Sequence, residues 1–346
     1  MNKIRTKNEL IKRKYFDVCR GVKGYSEKTI KVKEKALWKY EEFTKYADFK
    51  DFDSNKAKSF KKWLSVIKSK QTDKPLELTT RYHILRNLND FFSWLSQQQG
   101  YKSKVHIDDV GFLRLSREET KIATISKQPK YPTLPAILRL CSFPVENDID
   151  LRDRALIAFT ALSGMRDNAI ITLPLECFIP EELQVLQDPS HGVKTKYSKF
   201  INTTLFNFDQ KLVNYVLDWH SHLINKLFFN NTNPFFPSTN VEIESKTHQS
   251  FIVKGVTKEF WKDASSMRRI FKERSMQMEL DYYSPHKFRH FAARQASDMA
   301  KTPEQFKAVS QNLGHEHLQT TFSSYGAIDP MRLKKVISDL GNKKAN

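Results

Sequence analysis

Apolar residues recur at helical spacing through most of the first hundred positions. Behind Ser26, a residue suited to capping, Ala36, Tyr40, Phe43 and Ala47 follow at steps of three and four and predict a helix running toward Tyr46. Ala57, Phe60, Trp63, Leu64 and Ile67 predict a second. Leu85, Leu88, Phe92 and Leu95 predict a third, with Thr79 as its cap. Residues 21–105 are therefore expected to form a small helical bundle. Its outer faces would carry Lys28, Lys31, Lys33, Lys35, Lys39, Lys61, Lys62, Lys68 and Lys70. The preceding segment, 1–20, reads as a basic leader with Lys3, Arg5, Lys7, Lys12, Arg13 and Lys14, either an arm or a solvated tail.

The pattern changes after Gly100. Periodicity weakens, and Pro129, Pro132 and Pro135 punctuate a stretch containing Lys121, Lys127 and Lys130, so 106–133 reads as a linker to a second domain at 134–346. In that domain Leu151 to Leu173 has helical spacing broken at Ser163-Gly164. Leu183 to Leu205 reads as short strands around Pro189, Ser190 and Gly192. Asn230 to Asn233 marks a loop, Asn240 to Gln249 is polar and strand-poor, and the remainder is mainly helical. The expected fold class is mainly α with a small antiparallel β-sheet (α+β).

Composition narrows the partners. The 346 residues hold 58 Lys and Arg against 39 Asp and Glu, a net charge of +19 that recurs along the chain. Such an excess is best explained by a polyanion whose phosphates are neutralised with counterion release. A membrane is the weaker candidate. The longest apolar stretch, Ala155 to Met165, is too short to span and is interrupted by Thr160, Ser163 and Gly164. The start does not resemble a signal peptide. Cys19, Cys141 and Cys177 form no Cys-x-x-Cys pair for zinc or redox work, and read as core residues in a reducing, cytoplasmic setting.

The candidate chemistry lies downstream. Leu162-Ser163-Gly164-Met165-Arg166 is followed by Ser284-Pro285-His286-Lys287-Phe288-Arg289-His290, then by Leu313-Gly314-His315, then by Ser324-Tyr325-Gly326. An Arg after a Gly break, a His-x-x-Arg, a Leu-Gly-His and a Tyr, in this order, resemble the tyrosine recombinase or phage integrase family. Each motif alone is weak; their order and spacing make the signal. The resemblance covers residues 130 to 330 as a catalytic domain, and the helical region before it looks like the family's core-binding domain.

The resemblance implies a site-specific recombinase or integrase of mobile elements. Such an enzyme breaks and rejoins double-stranded DNA through a 3′-phosphotyrosine, with no metal, cofactor or ATP. Arg166 and Arg289 would clamp the phosphate, since the guanidinium fork matches it in two-pronged fashion. His286 and His315 would bond the phosphate or exchange protons with the nucleophile. Tyr325 would be that nucleophile, storing the energy of the broken phosphodiester for rejoining. The family also uses a turn lysine to protonate the departing 5′ oxygen, and Lys194-Thr195-Lys196-Tyr197-Ser198-Lys199 is the matching segment. Lys196 is favoured over Lys194.

Strand exchange in this family takes four protomers around two duplexes, so a homotetramer on DNA is implied. The apolar stripe Met331, Leu333, Val336, Ile337 and Leu340 would dock on a neighbour or on its own domain. Two departures stand out. The family often places an acid three positions after the first Arg, where this chain has Ala169, with Asp167 beside Arg166 instead. The step from His315 to Tyr325 is one residue longer than the commonest spacing. A type IB topoisomerase-like relaxase and a non-catalytic DNA-binding protein of the same fold are the alternatives. Retention of both Arg, both His and the Tyr argues against the latter.

Overall fold

The computed structural model describes residues 3–69, 72–125, 130–243 and 251–315, together with 333–334 and 337–338. The chain divides into two compact units, residues 1–125 and 126–346.

The first unit is helical. It comprises α1 (Lys3–Gly21), α2 (Glu27–Thr44), α3 (Ser54–Val66), α4 (Leu78–Leu95), and the shorter α5 (Ile107–Val110) and α6 (Arg117–Thr124). Ser26 caps α2 by accepting from the Thr29 amide. The predicted apolar stripes meet in an aromatic core in which Phe52 stacks on Phe92 at 3.9 Å, and Tyr40 meets Phe92 edge-on at 5.0 Å.

Four expectations change here. The segment expected as a leader is, from Lys3 on, a core helix: Ile11, Tyr15, Phe16 and Cys19 are buried, and buried Lys12 pairs with buried Glu41 at 2.8 Å. The run of basic residues hid an apolar stripe at i, i+4, i+5 and i+8. The interval 106–133 is not an open linker throughout, because Val110 and Leu113 belong to the same core. Thr79 does not cap α4, which starts after Glu77 without a side-chain cap; its hydroxyl donates to the Ala123 carbonyl at 3.1 Å instead. Lys33 is not on a solvated face, since it is buried and pairs with Asp90 at 2.8 Å.

The second unit runs α7 (Leu134–Leu140), α8 (Asp148–Ser163), α9 (Asp167–Ile171), β1 (Phe178–Ile179), β2 (Gln184–Gln187), β3 (Ile201–Thr204), α10 (Gln210–Asn225), β4 (Thr239–Ile243), β5 (Phe251–Val256), α11 (Ser265–Gln277), α12 (Pro285–Met299) and α13 (Pro303–Asn312). From Ala155 to Ser163 every residue of α8 is buried, because α10 and α12 both pack on it. Hence its sequence reads as nearly uniform rather than striped. The strands β1, β2 and β3 form an antiparallel sheet in that order, as expected for 183–205. The stretch 240–249 reads as strand-poor, yet its described residues, 240–243, lie in β4, which pairs with β5 as a hairpin. Polar residues occupy that strand because β-pairing is satisfied by backbone, whatever the side chains. The three cysteines are free and buried, and desolvation pushes the Cys141 thiol up to about 12 and that of Cys177 to about 11. No described helix is long and apolar enough to cross a membrane.

Candidate active site

The helix break at Ser163-Gly164 is the first construction step. Gly164 ends α8 in the left-handed region (φ +58), and a Cβ there would lie 2.7 Å from Leu313 Cδ2 and 3.1 Å from Ala292 Cβ. Only glycine permits both the turn and the close approach. The chain then reverses through Met165, whose amide donates to Ser163 Oγ at 3.2 Å, and sets Arg166 at the head of α9. Arg166 is half-buried, and no capping bond engages its side chain.

Arg289, from the second turn of α12, is buried and organises the centre. One guanidinium nitrogen donates to the Gly164 carbonyl at 2.6 Å. The other donates to the Leu313 carbonyl at 2.6 Å and stands 2.8 Å from His315 Nε2. A single side chain thus joins the Gly break, the His-x-x-Arg and the Leu-Gly-His motifs. Gly314 continues the design: its φ is +68, and a Cβ would lie 2.5 Å from Ile201 Cδ1 on β3.

His286 lies in the first turn of α12, exposed, with its ring edge-on to His290 at 4.9 Å. Desolvation lowers the His315 pKa to about 4, helped by the charges of Arg289 and Arg166. His286 is lowered as well, by desolvation and then by Arg289, with Asp167 acting in the opposite sense. Desolvation and the neighbouring His286 take His290 to about 4. Both imidazoles of the site are thus neutral near pH 7 before any anion arrives. Asp167 pairs with Arg268 of α11, so the carboxylate displaced from the family's usual position has its own cation. Ala169, where that acid often stands, is buried.

Arg166, His286, Arg289 and His315 are therefore brought within electrostatic reach of one another. Lys196 stands on the turn before β3, exposed, with its ammonium 4.8 Å above the Tyr197 ring. Lys194 is exposed on the same turn, and its amide donates to Thr172 Oγ1 at 2.9 Å. Tyr197 and Ser198 adopt positive φ, +62 and +49. Tyr325 lies outside the described residues. Of the C-terminal stripe, Leu333 and Ile337 are described and both are exposed; Met331, Val336 and Leu340 fall outside. Of the two tyrosines just before the His-x-x-Arg motif, Tyr282 is 44% exposed and Tyr283 packs against the core. Sequence reasoning did not single out Arg268, Thr172 or Asn312, since ordinary polar residues carry no motif; only their bonding partners in space reveal them.

Two arginines and two imidazoles thus stand beside a small sheet on a helical scaffold, with the Gly break, His-x-x-Arg and Leu-Gly-His segments in the order expected of a tyrosine recombinase catalytic domain. The phage integrase family model matches residues 133–332, and the chain belongs to that family, the tyrosine-type site-specific DNA recombinases. Three solved structures resemble it in fold. XerH recombinase bound to a palindromic difH substrate, a post-cleavage complex, is 18% identical over 94% of this chain and 84% of that one, with a TM-score of 0.62. A lambda integrase dimer on a COC′ core site is 11% identical over 93% and 99%, at 0.61. The Tn1549 transposon integrase with transposon right-end DNA is 13% identical over 96% and 99%, at 0.57. No curated protein sequence matches the chain.

Proposed function

We propose that this recombinase cleaves one DNA strand by attack of Tyr325 Oη on the scissile phosphorus. The P–O(Tyr) bond forms as the P–O5′ bond breaks. The phenol proton passes to one of the imidazoles, His286 or His315, and a proton from Lys196 goes to the leaving 5′ oxygen. Arg166 and Arg289 neutralise the charge that grows on the non-bridging oxygens. Reversal by a 5′ hydroxyl from another strand rejoins the DNA, and the bond energy kept in the phosphotyrosine removes any need for ATP. The observation carrying this reading is the Arg289 bridge, which draws three sequence-distant motifs into one cationic cluster. Neutral imidazoles have a free site for a proton, and a phosphate anion entering beside them opposes the lowering by the two guanidinium groups and raises their basicity.

The first unit, with its core-binding region at 21–105, grips the DNA through its basic faces. Synapsis assembles four protomers on two duplexes, as exchange of two pairs of strands requires. The setting is the cytoplasm, at the nucleoid. The test is incubation with nicked, end-labelled DNA from the flanks of its own gene, followed by denaturing electrophoresis. An SDS-resistant adduct with the wild type that vanishes with Tyr325→Phe is the expected result. An adduct that persists would move the nucleophile elsewhere, with Tyr283 next in line.

A further inference from the structure

The turn that carries Lys196 leads into β3, the edge strand of its sheet, and one side chain closes that edge. Asn312, the last residue of α13, accepts from the Thr204 amide through Oδ1 at 2.7 Å and donates through Nδ2 to the Thr204 carbonyl at 2.9 Å. Its carboxamide thus does for β3 what a neighbouring strand would do, satisfying one donor and one acceptor of the backbone. Its own carbonyl accepts from Thr203 Oγ1 at 2.8 Å, and that hydroxyl accepts from Gln187 Nε2 of β2 at 2.7 Å. Three bonds therefore tie Asn312 to two consecutive residues of β3.

On its other side Asn312 is followed directly by Leu313-Gly314-His315. The Leu313 carbonyl is held by Arg289, and Gly314 packs without a Cβ against Ile201, the first residue of β3. Asn312 is thus where the lysine-bearing sheet and the imidazole-bearing segment are fastened. The lysine needs such fastening, because its turn holds two non-glycine residues at positive φ and the lysine itself is exposed.

We propose that Asn312 is a positioning residue for the leaving-group proton: by pairing Thr204 in both directions it holds β3, and with it the Lys196 turn, in register with the segment that carries His315. The proposal rests on the reading that a lysine of this turn protonates the departing 5′ oxygen, and its experiment separates the two. Single-turnover cleavage is measured on the DNA that yields the adduct, and on the same DNA with sulfur in place of the bridging 5′ oxygen. A thiolate leaves without protonation, so a defect confined to proton delivery disappears on the sulfur substrate.

Asn312→Ala is expected to bind DNA within about twofold of wild type and to cleave the oxygen substrate roughly tenfold or more slowly, the scale of acid catalysis partly lost. It is expected to match wild type on the sulfur substrate, as Lys196→Ala should. Asn312→Asp keeps the acceptor for the Thr204 amide but sets a carboxylate oxygen against the Thr204 carbonyl, and gives the same pattern; it serves if the alanine variant does not fold. A defect of equal size on both substrates, or none on either, overturns the positioning role. Rescue of Lys194→Ala but not Lys196→Ala transfers the acid to Lys194 and leaves Asn312 in place, since both lysines ride the same turn. If neither lysine variant is rescued, the acid assignment falls and takes this role with it; rescue of a lysine variant but not of Asn312→Ala removes only the role of Asn312.

Discussion

Arg289 donates to His315: its Nη2 stands 2.8 Å from His315 Nε2 while the same guanidinium holds the carbonyls of Gly164 and Leu313. Because arginine has donors only, Nε2 must be the acceptor and the ring carries its proton on Nδ1. The low pKa of His315 has the same origin, burial beside a fixed cation. In the proposed mechanism structure and chemistry therefore share one side chain, and the fold itself holds Arg289 in place.

Arg289→Lys is expected to damage both stability and reaction. An ammonium cannot reproduce the planar fork, so a buried carbonyl is left without a donor, at a cost of about 1–3 kcal/mol. Arg166→Lys, by contrast, alters a half-buried group with no capping bond, and should leave the thermal midpoint nearly unchanged while lowering adduct yield. Thermal unfolding and the adduct gel, run on both variants, check this. Equal midpoints for the two variants would refute the idea that the Arg289 bridge is structural.

The lowered histidine pKa values set a pH trend. His290 and His315 titrate at about 4 in the folded chain, against about 6.5 in an unfolded one. Between those values the unfolded state binds more protons, so stability rises with pH from about 4 to 6.5 and is lost as pH falls through that window. His315→Gln removes one such site. Its thermal midpoint, measured from pH 4.5 to 7.5, should fall less steeply on acidification than that of the wild type. Parallel curves would show that His315 titrates normally.

Gly314→Ala introduces two penalties. A left-handed backbone costs a non-glycine residue about 1–2 kcal/mol, and the new methyl would meet Ile201 Cδ1. Ile201→Ala relieves only the second. The double variant should therefore be more stable than the sum of the single changes predicts, by denaturant titration, and additivity would mean that the segment moves away from β3.

Much of this fold was legible because helices announce themselves by period, and the four-motif order survived where each motif alone would not have. Ala36 and Tyr40 became core with Phe43 packed against it, as did Leu85, Leu88, Phe92 and Leu95, while Ala47 falls beyond the end of α2. What failed did so for identifiable reasons. In α1, eleven polar or charged neighbours mask Ile11, Tyr15 and Cys19, so a core helix looked like a basic tail. At β4 the pairing is made by backbone, which leaves little mark on side chains. In the site, Gly164, Arg289 and Gly314 were readable as motif positions. Asn312 and Arg268 were not, because their importance lies in what faces them across space.

A last prediction separates scaffold from chemistry within one helix. Asp153, near the start of α8, accepts two bonds from Arg152, at 3.1 and 2.8 Å, and two from Arg274, at 3.0 and 2.8 Å. Arg152 also donates to the Pro237 carbonyl and to Thr239, at 3.1 and 3.0 Å, tying α8 to the start of β4. Arg152 and Asp153 are both buried, so their charges have little water to fall back on. Asp153→Asn leaves two guanidinium groups facing a neutral amide, and removing one partner of a buried charge network costs about 3–5 kcal/mol. Yet eleven residues of helix separate this position from Gly164, a rise of about 16 Å. Stability should therefore drop by that order in denaturant unfolding, while the cleavage rate per folded molecule, well below the melting temperature, stays within about twofold. A matching loss of rate would mean that strain at the head of α8 travels its full length to the Arg166 turn, and the helix could no longer be treated as a rigid spacer between them.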